Sequence, residues 1–190
     1  MAMVTTKEDV IKLIQDDDEM MNILSAAKAL NLPDWWICAG FVRSKIWDTL
    51  HGFNKRTEIE DVDVIYFDKE NTDELTEKNL ENTLRGILPN VPWSVKNEAR
   101  MHVVNQVPPY SSSEDAISKF PETATSLGVK LDEENNIVLT APCGMEDVIH
   151  LKVKPTAYFR NSQKHHAIYE ERIMKKNWKS IWYKIEVHHI

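Results

Sequence analysis

Apolar positions at Val10, Leu13 and Ile14, then at Met20, Ile23, Leu24, Ala27 and Leu30, recur at helical spacing and predict two N-terminal helices separated by the acidic run Asp16 to Glu19. Thr6 followed by an acid at Asp9 is a start signal for the first. The pattern then changes. Trp35 to Ala39 is a short apolar run reaching Gly40, followed by Phe41, Ile46, Trp47 and Leu50 at helical spacing, which predicts a strand, a glycine-marked turn and a helix. Val62 to Phe67 is the most apolar run and reads as a strand. Leu75, Leu80, Leu84, Ile87 and Leu88 define a long helix stopped by Pro89 and Pro92. Trp93 to Ala99 alternates, with Trp93, Val95 and Asn97 on one side and Ser94, Lys96 and Glu98 on the other, and predicts a further strand.

Beyond it, Pro108 to Ser113 reads as a loop, with Ser113 and Glu114 capping a short helix through Phe120. Val129 to Leu131 and Ile137 to Thr140, joined by the turn Asp132 to Asn136, give a hairpin signal. Met145, Val148, Ile149 and Leu151 suggest a short amphipathic helix, and Ile168, Tyr169, Arg172, Ile173 and Trp178 a C-terminal one. The cluster Arg172, Lys175, Lys176 and Lys179 reads as a solvated face. His165-His166 and His188-His189 are adjacent pairs, and neighbours on a helix do not face each other, so neither suggests a metal site.

A chain of 190 residues suits one domain, 1–190, with a buried core and leaves little room for a second. The formal charge of −7 argues against broad nucleic-acid binding, which depends on clustered Lys and Arg. It leaves a small nucleotide open. Cys38 and Cys143 have neither metal-site nor disulfide-framework spacing, and no apolar run approaches membrane-spanning length. The opening MAMVTTKEDV lacks a signal-peptide core, so a cytoplasmic protein is expected.

The chemistry gathers between Trp35 and Asp68. A turn at Gly40 that opens a helix aims backbone N–H groups and the positive end of the helix dipole at an anion such as phosphate, with Arg43 one turn in. Asp61 and Asp63 open the following strand and project from one face, while Val62 and Val64 face the opposite layer. Two adjacent carboxylates repel unless a hard divalent cation sits between them, and Mg2+ uses one or two carboxylates together with substrate phosphates.

These two halves, AGFVRSKIWDTLHGF and DVDVIYFD, resemble the nucleotidyltransferase superfamily, in which a glycine turn opening a helix precedes an hDhDh strand. The likeness extends over about residues 35–105. It is nearest to the head domain of CCA-adding enzymes and to small bacterial nucleotidyltransferases of uncharacterised role. Ala39, Gly40, Phe41, Val42 and Arg43 stand where CCA-type heads read Gly-Gly-x-Val-Arg. Arg100 and Asn105 match the ends of their Arg-Asp-Phe-Thr-x-Asn stretch, with Met101 in the place of the acid.

The resemblance implies an α/β (α+β) fold, a mixed β-sheet flanked by helices with helical N- and C-terminal extensions. It implies Asp61 and Asp63 as metal ligands for Mg2+, Glu98 as the third catalytic carboxylate, and Ala39, Gly40, Phe41, Arg43 and Arg100 as nucleotide contacts. The expected reaction transfers a nucleoside monophosphate from an NTP to an unidentified hydroxyl acceptor, a small molecule or protein rather than tRNA. The alternative is a catalytically silent nucleotide-binding module. Residues 106–190 carry no chemical motif.

Overall fold

The computed structural model describes residues 4–190; the first three residues of the N-terminal stretch read above for a signal segment lie outside the described residues. Helix α1 (Lys7–Gln15) starts at Thr6, whose hydroxyl accepts from Asp9 N–H while the Asp9 carboxylate accepts from Thr6 N–H, the reciprocal cap expected from the sequence. Asp17, inside the acidic run, caps α2 (Asp18–Ala29). Strand β1 (Trp36–Cys38), helix α3 (Gly40–His51) and strand β2 (Val62–Tyr66) follow, then α4 (Glu74–Ile87) and β3 (Trp93–Asn97).

The second half contains α5 (Glu98–Asn105), α6 (Ser113–Ser118), β4 (Gly128–Leu131), β5 (Ile137–Thr140), α7 (Glu146–Ile149), β6 (Lys152–Val153), α8 (Ala157–Arg160), α9 (Gln163–Lys176) and β7 (Glu186–Val187). Ser112, one residue earlier than expected, caps α6.

Among the described residues five strands form a mixed sheet in the order β3-β2-β1-β4-β5, and β6 pairs with β7 beside it. β2 and β3 run parallel, joined by α4, while β1 is antiparallel to both β2 and β4. Register puts Ile37 opposite Val64 and Val129, and these side chains share the core face with Val62, Tyr66 and Val95. Helices α1 to α4 pack on that side. The opposite face carries Trp36, Cys38 and Ile65, packed against Ile117 of α6, and Asp63 stands on this face beside Cys38. Burying one face with valine and isoleucine therefore turns Asp63 toward the other.

One strand is shorter than its pattern suggested. The alternation stops at Asn97, whose side chain accepts from Ala99 N–H and starts α5, so Glu98 is the first residue of a helix and Met101 to Asn105 continue it. A cap signal overrode a weak strand signal.

Helix α4 also departs from expectation. Leu75, assigned to the apolar stripe, is 63% exposed, whereas Glu77 and Glu81 are buried. Their role follows from dimensions: four helical residues rise about 6 Å, close to the roughly 6.6 Å of two strand residues. Glu81 and Glu77 accordingly accept from Val95 N–H at 3.1 Å and Asn97 N–H at 3.0 Å, two donors on the outer edge of β3. Two carboxylates replace a missing strand neighbour and block edge pairing. Glu77 also takes a two-pronged ion pair from Arg100 at 3.0 and 2.8 Å.

Replacing Glu77 with Ala leaves the buried Asn97 N–H and two cationic neighbours, Arg100 and Lys96, without their buried partner, and the expected loss is about 3 kcal/mol. Glu81→Ala has less to lose, about 1–2 kcal/mol. Urea denaturation of both variants checks the order; an equal or smaller loss for Glu77→Ala contradicts it.

Candidate active site

The turn before α3 is built on Ala39, whose backbone has φ 53° and ψ −114°, a region that favours glycine and costs another residue about 1–3 kcal/mol. Glycine adopts that geometry freely, and here Ala39 holds it. Ala39 N–H donates to Leu127 C=O at 3.1 Å, fixing the turn to the segment before β4. Alanine has no side chain to cap with, so the N–H groups of Gly40 and Phe41 have no acceptor among the described residues. The Phe41 side chain is fully buried in the core, which leaves only its backbone for a ligand.

Arg43 is buried, an uncommon place for a guanidinium. Its Cζ lies 4.4 Å from the ring centre of Trp178 and 5.1 Å from those of Trp47 and Trp182. It donates to Ser44 Oγ, and among the described residues it has no carboxylate within ion-pair distance and its buried Nε has no hydrogen-bond partner. Burial lowers its pKa to about 10, so the charge persists at neutral pH.

Arg43 lines a cavity of about 130 Å³ together with Ala39, Gly40, Asp61 and Asp63. Arg172 and Lys176 complete its cationic wall. Both belong to the cluster read from sequence as a solvated face; α9 instead folds back over the loop before β2. Lys176 reaches Glu60 at 2.5 Å, and Arg172 Nε reaches the buried Glu122 at 2.6 Å. The Nη groups of Arg172 have no hydrogen-bond partner among the described residues. Spacing along the chain carries no sign of a contact across 116 residues.

Asp61 is exposed just ahead of β2, and Asp63 sits within the strand. Burial, then the neighbouring charge of Asp61, pushes the Asp63 carboxyl up to about 6. Glu98, brought beside Asp63 by the start of α5, is 6% exposed and has no ion-pair or hydrogen-bond partner among the described residues. Burial and then the charge of Asp63 push it up to about 7. Arg100, expected from the sequence as a nucleotide contact, does not line this cavity, and its guanidinium pairs with Glu77.

A hard divalent cation between Asp61 and Asp63 removes their mutual repulsion, so the pair fits Mg2+. Among the described residues no cluster of three His, Cys, Asp or Glu forms a metal site, and two carboxylates suffice when phosphate and water supply the remaining oxygens. The cavity is thus lined by cationic side chains, by carboxylates and by a helix N-terminus. A metal-bound polyphosphate satisfies all three.

The raised pKa of Asp63 has a consequence for stability. Folding favours its protonated form, so this contribution is complete below the ordinary value of 3.8 and is lost as pH rises through about 6. Without divalent metal, Asp63→Asn is therefore expected to raise the melting temperature more at pH 8 than at pH 5. Equal gains at both pH values contradict the coupling.

A family model described as nucleotidyltransferase matches residues 25–187. An NMR structure that reveals a CCA-adding enzyme head domain is 33% identical with a TM-score of 0.90, covering 100% of this chain and 99% of that one. A CCA-adding enzyme in complex with CTP matches at 11% identity and TM-score 0.60, covering 95% of this chain and 43% of that one. The Thermotoga maritima CCA-adding enzyme complexed with tRNA matches at 13% and 0.58, over 95% and 42%. These last two likenesses are of fold, and this chain spans less than half of either enzyme. No curated protein matches the chain at a significant level. With a family model spanning most of its length and a whole-chain structural match at 33% identity, the chain belongs to the nucleotidyltransferase family.

Proposed function

We propose that this protein transfers a nucleoside monophosphate from an NTP to a hydroxyl acceptor with release of pyrophosphate. The observation that carries the reading is Arg43, a buried guanidinium with no carboxylate partner among the described residues, lining one cavity with Gly40, Asp61 and Asp63. In this reading the N–H groups of Gly40 and Phe41 and the side chains of Arg43, Arg172 and Lys176 hold the triphosphate. Asp61 and Asp63 hold Mg2+, which when bound neutralises phosphate charge and polarises the α-phosphorus.

Glu98 takes the proton of the acceptor hydroxyl. The acceptor oxygen bonds to the α-phosphorus as the bond to the bridging oxygen breaks, and that electron pair departs with pyrophosphate. The cationic wall holds the leaving group in line. The functional unit is the whole chain as one domain, because the cavity draws residues from 39–63 and from 172–182. The acceptor is a small molecule in preference to the tRNA held by the Thermotoga enzyme, in keeping with a net charge of −7.

Gly40 supplies the test. A Cβ built there meets nothing closer than Arg43 Nη2 at 3.6 Å, an ordinary contact, so Gly40→Ala is expected to fold with an unchanged melting temperature. Its methyl group stands where a phosphate approaches the helix N-terminus. Trp178 lines the same cavity, and its fluorescence reports binding of Mg2+ with ATP, CTP, GTP or UTP. The expected result is a saturable change in the wild type and an affinity at least tenfold weaker in Gly40→Ala. Equal binding by the two proteins, or none by either, overturns the reading. Pyrophosphate release separates transfer from the alternative of binding without turnover.

A further inference from the structure

A second cavity, of about 490 Å³, lies on the other side of Asp63 and shares both Asp63 and Arg172 with the first. Its size is that of a site for a small organic ligand. Its walls differ in kind from those of the phosphate cavity. Tyr110, Phe120, Tyr158, Phe159 and His165 contribute aromatic surface. The His165 ring centre is 4.9 Å from those of Tyr158 and Phe159, with tilts of 31° and 36°, which makes a continuous aromatic shelf. His165 Nδ1 is buried on this shelf without a hydrogen-bond partner among the described residues.

The charges around the cavity narrow the ligand. Lys119 pairs with Asp115 and Lys96 with Glu77, and Arg172 pairs through Nε with Glu122 while its Nη groups serve the triphosphate in the reading above. Neither of the carboxylates, Asp63 and Glu98, has an ion-pair partner among the described residues. With the Arg172 Nη groups taken by triphosphate, an anionic acceptor would meet two carboxylates and, among the described residues lining this cavity, only lysines that already have carboxylate partners. A flat, uncharged ring gains stacking area on the shelf and a polar contact at His165. A hydroxyl on such a ligand is then delivered toward Glu98 and Asp63, where the two cavities meet.

We propose that this second cavity is the acceptor site and that the acceptor is a small, uncharged, ring-bearing alcohol of about nucleoside size. The inference rests on the transfer reaction proposed above. It adds a division of labour: one side of Asp63 selects polyphosphate by charge, and the other selects the acceptor by aromatic shape and against negative charge. Tyr158 is half-buried and lines only the second cavity, so it separates the two functions.

Adenosine is the probe, with uridine and phenyl β-glucoside beside it and AMP as the anionic counterpart, each titrated into isotopically labelled full-length protein. Signals of Tyr110, Tyr158 and His165 are expected to shift with the neutral compounds, at least fivefold more weakly with AMP. Tyr158→Ala is expected to weaken adenosine at least fivefold and to bind Mg2+ with ATP as the wild type does. If ATP with Mg2+ shifts Gly40 and Asp63 but none of the neutral compounds shifts the aromatic wall, the acceptor site falls and the transfer reading stands. Should ATP with Mg2+ shift nothing, both fall. AMP binding as tightly as adenosine overturns the charge selection and with it the acceptor class.

Discussion

The site depends on a buried positive charge. Arg43 lies among three indole rings, each contact worth about 0.5–2 kcal/mol, and those rings come from two distant parts of the chain. Trp47 is on α3; Trp178 and Trp182 follow α9. Asp48 accepts from Trp182 Nε1 at 2.8 Å, and through its other oxygen from Thr57 N–H at 2.9 Å, so the same helix anchors the C-terminal segment and the loop that leads to Asp61. Trp47 Nε1 donates to Val148 C=O at 3.0 Å and ties in α7. Aromatic faces stabilise a guanidinium without neutralising it, and a charge left in that condition attracts an anion.

From this constraint the electrostatic plan follows. The whole chain is acidic, yet the cavity beside Arg43 has a cationic side formed by Arg172 and Lys176 and a carboxylate side formed by Asp61 and Asp63. Such a cavity matches a ligand that carries both signs, as a polyphosphate with its metal does. The sheet supplies the carboxylate side cheaply in structural terms: alternation in β2 sends Val62 and Val64 into the core and Asp63 to the other face. The parallel pairing of β2 with β3 ends with Asn97 beside Tyr66, and the cap at Asn97 starts α5 in time to bring Glu98 to Asp63.

The sequence was most legible where a local signal and the tertiary requirement agree. The hairpin of β4 and β5 was readable because Asp132 organises its turn, accepting from both Glu134 and Asn136 N–H groups. Strand β2 was readable as the most apolar run of the chain, and the facing of Asp63 because its neighbours Val62 and Val64 are buried in the core on the opposite face. Glu98 was put on the wrong element, since alternation continues through Asn97 and the residue that ends the strand also caps the helix. Glu77 and Glu81 were missed altogether. A carboxylate pair on an amphipathic helix looks like a solvent face until the helix is seen against an unpaired strand edge. The same limit hid Arg172 and Lys176, whose meaning comes only from the return of α9 over residues 58–61.

The central claim is that one cavity holds phosphate and metal together, and backbone amide shifts of labelled protein titrated with ATP, with and without Mg2+, test it most directly. The account predicts that Gly40, Arg43, Asp61 and Asp63 shift as a group, strongly with nucleotide and Mg2+ together and weakly with either alone. Nucleotide that shifts none of them at millimolar concentration, or shifts them identically without Mg2+, contradicts it.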